Sequence, residues 1–335
     1  MTYAIETEGL VKNFGKVAAL SGLDLAARTG TVLGVLGPNG AGKTTAVRIL
    51  ASLMRPDGGT AQVCGYDVTR HPHEVRRIIG LTGQYAAIDQ ELTGSQNIFM
   101  VARLLGFSRA GARRRAAELL ERFGLGHAAG RKAQTYSGGM RRRLDLAVSL
   151  VGEPRVLYLD EPTTGLDPES RYELWDIVRG LVTGGSTVLL TTQYMDEADR
   201  LADDIVVIDG GVAIATGTPE ELKTKIDQQT LEIQPAEVGR LEDTLRIAEE
   251  LGGSRPTVHG NLLRTQVNDS SLPAALLRRL DEAGIEVTEL ALRRPSLDEV
   301  FLSLTGRRGK EARDTSAGDD AVGTSRADET ERSSA

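Results

Sequence analysis

The sequence predicts an α/β fold on a largely parallel sheet, followed by a small α+β domain of ferredoxin-like order. Three observations carry this. Across residues 31–210, short apolar runs of strand length alternate with stretches at helical spacing, the pattern of a parallel sheet covered by helices on both faces. Residues 90–150 change texture, becoming rich in Leu, Ala and Arg at helical spacing. From about Thr230 a third texture reads as β-α-β-β-α-β.

Taken in order, residues 1–30 alternate short apolar stretches with turns and read as antiparallel strands leading into the core. Thr31-Val-Leu-Gly-Val-Leu36 is a buried strand, and helical spacing begins at Lys43. A mostly helical insertion covers about 86–150. Strands are then expected at 155–159, 187–191 and 205–208, with a helix over 171–182. In the last part, strands fall at 230–234, 257–258, 262–267 and 286–292, with helices at 241–251, 271–283 and 296–304. The predicted division is 1–228, 229–306 and a tail, 307–335, that lacks large apolar residues and is expected to be disordered.

Composition narrows the function classes. At 335 residues the chain is long enough for two domains. No apolar run approaches the roughly 18 residues that span a bilayer, and the N-terminus has neither the basic start nor the apolar core of a signal peptide. Its single cysteine, Cys64, leaves no disulfide framework and fits a reducing compartment. A net charge of −7 argues against a general nucleic-acid binder.

The chemistry begins at Gly37-Pro-Asn-Gly-Ala-Gly-Lys-Thr44, a phosphate-loop pattern placed between a strand and a helix. Glycines at 37, 40 and 42 let the loop Gly37-Pro38-Asn39-Gly40-Ala41-Gly42 curl so that its backbone N–H groups, Pro38 having none, converge on phosphates, with Thr45 in the helix behind them. Lys43 would bridge the terminal phosphates of ATP, and the Thr44 hydroxyl would hold Mg²⁺. Asp160, ending the strand Arg155-Val-Leu-Tyr-Leu-Asp160, is placed to orient the metal's water shell. Glu161 reads, on placement alone, either as the base that takes a proton from attacking water or as an ordinary strand-end acid. Ser137-Gly138-Gly139 by itself is only a turn at a helix start. Arg141, Arg142 and Arg143 behind it read as a solvated helix face, and His71-Pro-His73 has too few neighbouring ligands for a metal.

Together and in this order, the loop, Tyr136-Ser-Gly-Gly-Met140 and the two acids resemble the ABC ATPases. The resemblance implies that Ser137, Gly138 and Gly139 contact the ATP held by a second copy, so that two chains complete a pair of sites. It implies that Gln84 contacts nucleotide and metal, that Gly165-Leu-Asp167 is the D-loop with Asp167 among the nucleotide-binding residues, and that Phe14 stacks on adenine; the plain alternative for Phe14 is a core position. Gln193 stands where most of that family has a switch histidine. Glutamine donates a hydrogen bond but carries no proton near neutral pH, which leaves hydrolysis to Glu161. Gln193 with its surroundings, Gly83-Gln-Tyr-Ala-Ala87 and Pro295-Ser-Leu-Asp-Glu-Val300 look like the daunorubicin/doxorubicin-resistance branch. That branch implies a peripheral subunit on the cytoplasmic face of the cell membrane, reaching it through a separate ABC-2 type permease and exporting a drug-like amphiphile. The competing expectation is a soluble ABC ATPase acting on ribosomes or DNA, but the chain is acidic and has neither a second ATPase unit nor a coiled-coil insertion.

Overall fold

A computed structural model describes residues 2–83, 88–224, 229–252, 256–267, 271–293 and 295–304. The tail beyond 306 lies outside the described residues, as does Gln84. The chain divides into two compact units, Met1–Pro219 and Glu220–Ala335.

The first unit holds two sheets. The long strands β1 (Tyr3–Phe14) and β2 (Val17–Arg28) pair antiparallel. After β3 (Val32–Leu36) and α1 (Lys43–Leu50) come β4 (Gly58–Val63) and β5 (Tyr66–Asp67), which complete a sheet of order β2-β1-β4-β5. The second sheet runs β10-β9-β3-β8-β7-β6, built from β3, β6 (Ile79–Thr82), β7 (Val156–Asp160), β8 (Thr187–Thr192), β9 (Asp204–Asp209) and β10 (Val212–Gly217). All its pairings are parallel except β9 with β10. Every residue of β3, β7 and β8 is buried, as strands covered on both faces require.

The two-residue period of these strands divides the apolar side chains between two cores. On β7, Val156 and Tyr158 join one core with Ile5, Leu23, Ile49 and Leu50. Leu157 and Leu159 join the other, with Ile98, Leu119, Phe123, Leu144 and Trp175. The second core is closed by α3 (Gly94–Leu104), α4 (Arg109–Arg122), α5 (Gly138–Ser149) and α6 (Pro168–Thr183), while α2 (Pro72–Ile78) and α7 (Met195–Leu201) are short. The helix expected at 171–182 starts at Pro168, because Asp167 caps it and proline suits a first helical position.

The second unit opens with a short helix, α8 (Pro219–Thr224), whose first residue closes the first unit. Its elements are β11 (Gln229–Pro235), α9 (Leu241–Gly252), β12 (Thr257–His259), β13 (Leu262–Val267), α10 (Leu272–Glu282) and β14 (Val287–Arg293). The order β12-β13-β11-β14, antiparallel throughout, is the ferredoxin-like arrangement. Leu231, Ile233 and Leu263 face the helices and meet Ala248, Leu276 and Leu280. On the opposite face Glu232 sits between Arg264 and Arg293, and the hydrogen bond from Arg293 holds its carboxyl below the usual range. A last helix over 297–304 buries Leu297 and Val300. No helix among the described residues is long and apolar enough to cross a membrane.

Candidate functional site

The loop between β3 and α1 is shaped by positions that tolerate no side chain. A Cβ on Gly37 would lie 2.3 Å from the Ile208 carbonyl oxygen. Gly42, the N-cap of α1, has φ +108°, and a Cβ there would come within 2.5 Å of the Ala19 carbonyl. No side chain caps α1, and its first turn holds no acid. Its leading N–H groups therefore stay available to an anion, and the helix dipole favours one. The loop encloses a cavity of about 310 Å³ lined by Ala19, residues 39–45 and Glu161.

Lys43 is 5% exposed. Its Nζ donates to the carbonyls of Gly37 (2.7 Å) and Pro38 (3.1 Å) and lies 3.9 Å from Glu161 Oε1. Burial lowers the pKa of this ammonium, with Glu161 and Asp160 opposing the shift. The Thr44 hydroxyl donates to Asp160 Oδ1 at 3.2 Å, and the Thr191 hydroxyl donates to the same oxygen at 2.5 Å. A hydroxyl and a carboxylate converging at the mouth of a phosphate loop form a hard-oxygen donor set that fits Mg²⁺, which keeps most of its waters.

Glu161 follows with φ +51°. That left-handed conformation costs a non-glycine residue of order 1–3 kcal/mol and persists only where neighbours hold it. The holders are visible. Its N–H is shared between the Thr191 carbonyl (3.0 Å) and hydroxyl (3.2 Å), while the Thr164 hydroxyl donates to its Oε2 at 3.4 Å. The kink turns the carboxylate from the strand into the loop cavity.

Ser137 caps α5 through the Met140 N–H, and Gly139 packs on Ser170 closely enough that a Cβ would fall 2.4 Å from its hydroxyl. Asp167 caps α6, accepting from the Ser170 N–H (2.9 Å) and hydroxyl (2.8 Å); these bonds hold its carboxyl below the ordinary value. A second cleft of about 580 Å³ is lined by Gly138, Arg141, Arg142, Glu161, Thr164 and Gly165, among others. Within one chain, then, Ser137–Gly139 stand apart from the phosphate loop, and Glu161 borders both cavities.

Two of the plainer readings need correcting. Phe14 is no core residue: it is 49% exposed, with Lys12 Nζ 5.9 Å from its ring centroid. It ends β1 and does not line the loop cavity. The three arginines after Met140 are not a solvated face. Arg143 pairs with Glu173, and the Arg142 side chain, 16% exposed, turns inward toward the end of β7. Gln193 is half-buried between Thr192 and Tyr194. Residues that sequence reasoning passed over are Thr191, Arg142 and Glu197. Glu197 is fully buried, accepts from Trp175 Nε1 at 3.1 Å and faces the hydroxyls of Thr192 and Thr163; burial raises its carboxyl pKa.

A parallel sheet carrying its phosphate loop after β3 and its acids at the end of β7 is that of the P-loop NTPases, and Ser137-Gly-Gly139 opening α5 before β7 narrows it to the ATP-binding cassette ATPases. Comparison with known proteins agrees. Residues 20–164 match the ABC transporter family, and residues 217–305 match the C-terminal domain of DrrA1-3-like ATP-binding proteins. The daunorubicin/doxorubicin resistance ATP-binding protein DrrA of Streptomyces peucetius is 53% identical over 91% of this chain and 93% of its own. The Nod factor export ATP-binding protein I of Ralstonia nicotianae is 40% identical over 91% and 95%. An ATP-binding cassette of an ABC transporter, solved in its ADP conformation, superposes with TM-score 0.60 at 27% identity, covering 66% of this chain and 93% of that one. The chain belongs to the ATP-binding proteins of ABC transporters, in the group that carries the DrrA1-3-like C-terminal domain. It binds nucleotide and hydrolyses ATP.

Proposed function

We propose that this chain is the motor subunit of an exporter, working as a head-to-tail pair beside a separate ABC-2 type permease on the cytoplasmic face of the membrane. The carrying observation is the single cavity that brings Lys43, Thr44 and Glu161 together behind the uncapped start of α1. Phosphates entering it would draw Lys43 from the carbonyls of Gly37 and Pro38 onto their own oxygens. Thr44, Asp160 and Gln84 would hold Mg²⁺, which neutralises phosphate charge. Glu161 accepts the proton of the attacking water, and Gln193 donates a hydrogen bond toward the terminal phosphate. Phe14, exposed at the end of β1, offers its ring to adenine.

The pairing is carried over from the family, in which Ser137, Gly138 and Gly139 would serve a second copy's nucleotide, with Asp167 at the seam. That these residues do not line their own chain's loop cavity supports it. The C-terminal unit, which begins at Glu220, is an accessory to this motor. Relatives named for drug resistance and for Nod factor export support efflux of an amphiphile.

The test is Glu161→Gln. ATP affinity should stay within about threefold while turnover falls by about 10²-fold or more. Hydrolysis within tenfold of wild type would move the base elsewhere. Co-purification with a multi-helix membrane protein that changes the ATPase rate tests the export part; a rate and a location indifferent to every membrane protein would overturn it.

A further inference from the structure

One guanidinium in the first unit is used to capacity. Arg142 lies five residues after Ser137 on α5, and its side chain leaves the helix toward the end of β7. Nε donates to the Pro162 carbonyl at 2.6 Å. Nη2 reaches the carbonyls of Glu161 (3.2 Å) and Asp160 (3.4 Å). Nη1 donates to the Gly83 carbonyl at 3.0 Å and to Asp145 Oδ2 at 3.4 Å. Arginine has five N–H bonds in a planar fork, and here five acceptors take them. Three of those are consecutive carbonyls on either side of and at the left-handed residue Glu161.

We infer that Arg142 is a positioning residue for hydrolysis: it fixes the kinked backbone of Glu161 and ties it to the helix that starts at Ser137-Gly138-Gly139. The physical case rests on how many acceptors of the kink one side chain gathers. The carbonyls of 160–162 all face the Arg142 guanidinium, the Glu161 carbonyl also accepting from the Thr164 N–H at 3.4 Å, and a buried carbonyl left short of donors would be costly. Arg142 satisfies all three at once, so the turn keeps the conformation that aims Glu161 into the loop cavity. The same fork grips Gly83, immediately before Gln84. A shift of α5 therefore drags the acid's backbone and the start of that loop together, without touching Lys43 or Thr44. The guanidinium does not reach the loop cavity, so its loss should spare nucleotide binding.

This inference rests on Glu161 being the base, and the controls separate the two. Wild type, Glu161→Gln, Arg142→Ala and Arg142→Lys are compared as full chains, by steady-state hydrolysis of Mg-ATP and by titration with a fluorescent ATP analogue. Arg142→Ala should lower kcat about tenfold or more, because small misplacements of a reacting group are costly, with analogue affinity within about threefold of wild type. Methylguanidinium at millimolar concentration should restore part of the lost rate in Arg142→Ala and none in Glu161→Gln. Arg142→Lys, with three N–H bonds on one nitrogen, should fall between the two. A kcat within twofold of wild type in Arg142→Ala overturns the inference. So does a parallel loss of kcat and affinity that methylguanidinium leaves unchanged, since that describes a merely structural residue. If Arg142→Ala does not fold, Arg142→Lys decides: reduced kcat at unchanged affinity supports the positioning role, and full turnover refutes it. Near-wild-type turnover in Glu161→Gln would instead sink the assignment of the base.

Discussion

Thr191→Val is the most informative single change at the site, because it removes one oxygen and almost no volume. Thr191 is fully buried on β8. Its hydroxyl donates to Asp160 Oδ1 at 2.5 Å and shares the Glu161 N–H at 3.2 Å, while its carbonyl takes the same N–H at 3.0 Å. Valine keeps the branched shape that suits a strand, so no cavity opens. A hydrogen bond to a charged group contributes about 1.5–3 kcal/mol, and a buried acceptor left short of donors costs more than an exposed one. The Glu161 N–H keeps its carbonyl partner and contributes little to the change. Asp160, 5% exposed, keeps only Thr44 at 3.2 Å. The expected loss is therefore about 2 kcal/mol, from the Asp160 bond alone. Trp175 is the chain's one tryptophan and is buried in the first unit, so its fluorescence in a urea titration reports that unit without interference from the second. The midpoint should fall at unchanged slope. Turnover should fall about tenfold, since the same oxygen steadies both acids. A stability change below about 0.5 kcal/mol would mean that water replaces the hydroxyl and that Asp160 is not held as described.

Two further outcomes are expected. Phe14→Ala should weaken ATP and ADP about five- to tenfold, the scale of one base–aromatic stack, with Phe14→Trp near wild type; unchanged affinity in a fluorescent-nucleotide titration would remove adenine from that ring. Glu197→Gln should change the pH dependence of stability. Burial raises the folded carboxyl above its unfolded value, so its protonated form suits the fold. Its stability contribution is full below the unfolded value, about 4.3, and is lost as pH rises through the folded one. The glutamine variant should lack that decline and be at least as stable as wild type at pH 8 by circular dichroism; the same slope in both proteins would show that Glu197 ionises freely.

What could be read from the sequence was whatever the chain keeps local. The phosphate loop and the acids ending β7 lie within a few residues of the strands and helix that position them. Motif and local strand pattern therefore placed them before any tertiary contact was known, whereas Asp167 entered through the family resemblance and its capping role only through the fold. The ferredoxin-like element order was legible for the same reason. Thr191, Arg142 and Glu197 were not. In Thr-Val-Leu-Leu-Thr-Thr192 a threonine looks like strand propensity, and nothing marks its hydroxyl as the partner of an acid 31 residues away. Arg142 sits in a run of three arginines whose obvious reading is solvent, and its four carbonyl acceptors lie 18 to 59 residues distant along the chain. Glu197, near the start of α7, looks like an acid answering a helix dipole; only the fold shows that Trp175 and two threonines enclose it.

The role proposed for glutamine at position 193 depends in the same way on what holds its neighbours. An imidazole can move a proton as well as a hydrogen bond; a primary amide supplies only direction, so its value depends on how firmly it is aimed. Here both neighbours are held. The Thr192 hydroxyl accepts the Tyr194 N–H at 3.0 Å and faces Glu197. The Tyr194 ring lies under the Arg171 guanidinium at 4.9 Å, and Arg171 also pairs with Asp196 at 3.3 Å. Arg171 belongs to the first turn of α6, whose cap is Asp167. The switch position and the proposed dimer seam thus share one rigid helix start, and Arg142 does for Glu161 what this pair of anchors does for Gln193. A site without an imidazole has its acid and its amide each fastened to a helix that begins at the face where a second copy would bind. Under the proposed pairing, hydrolysis is expected to respond to closure of that face rather than to protonation at position 193.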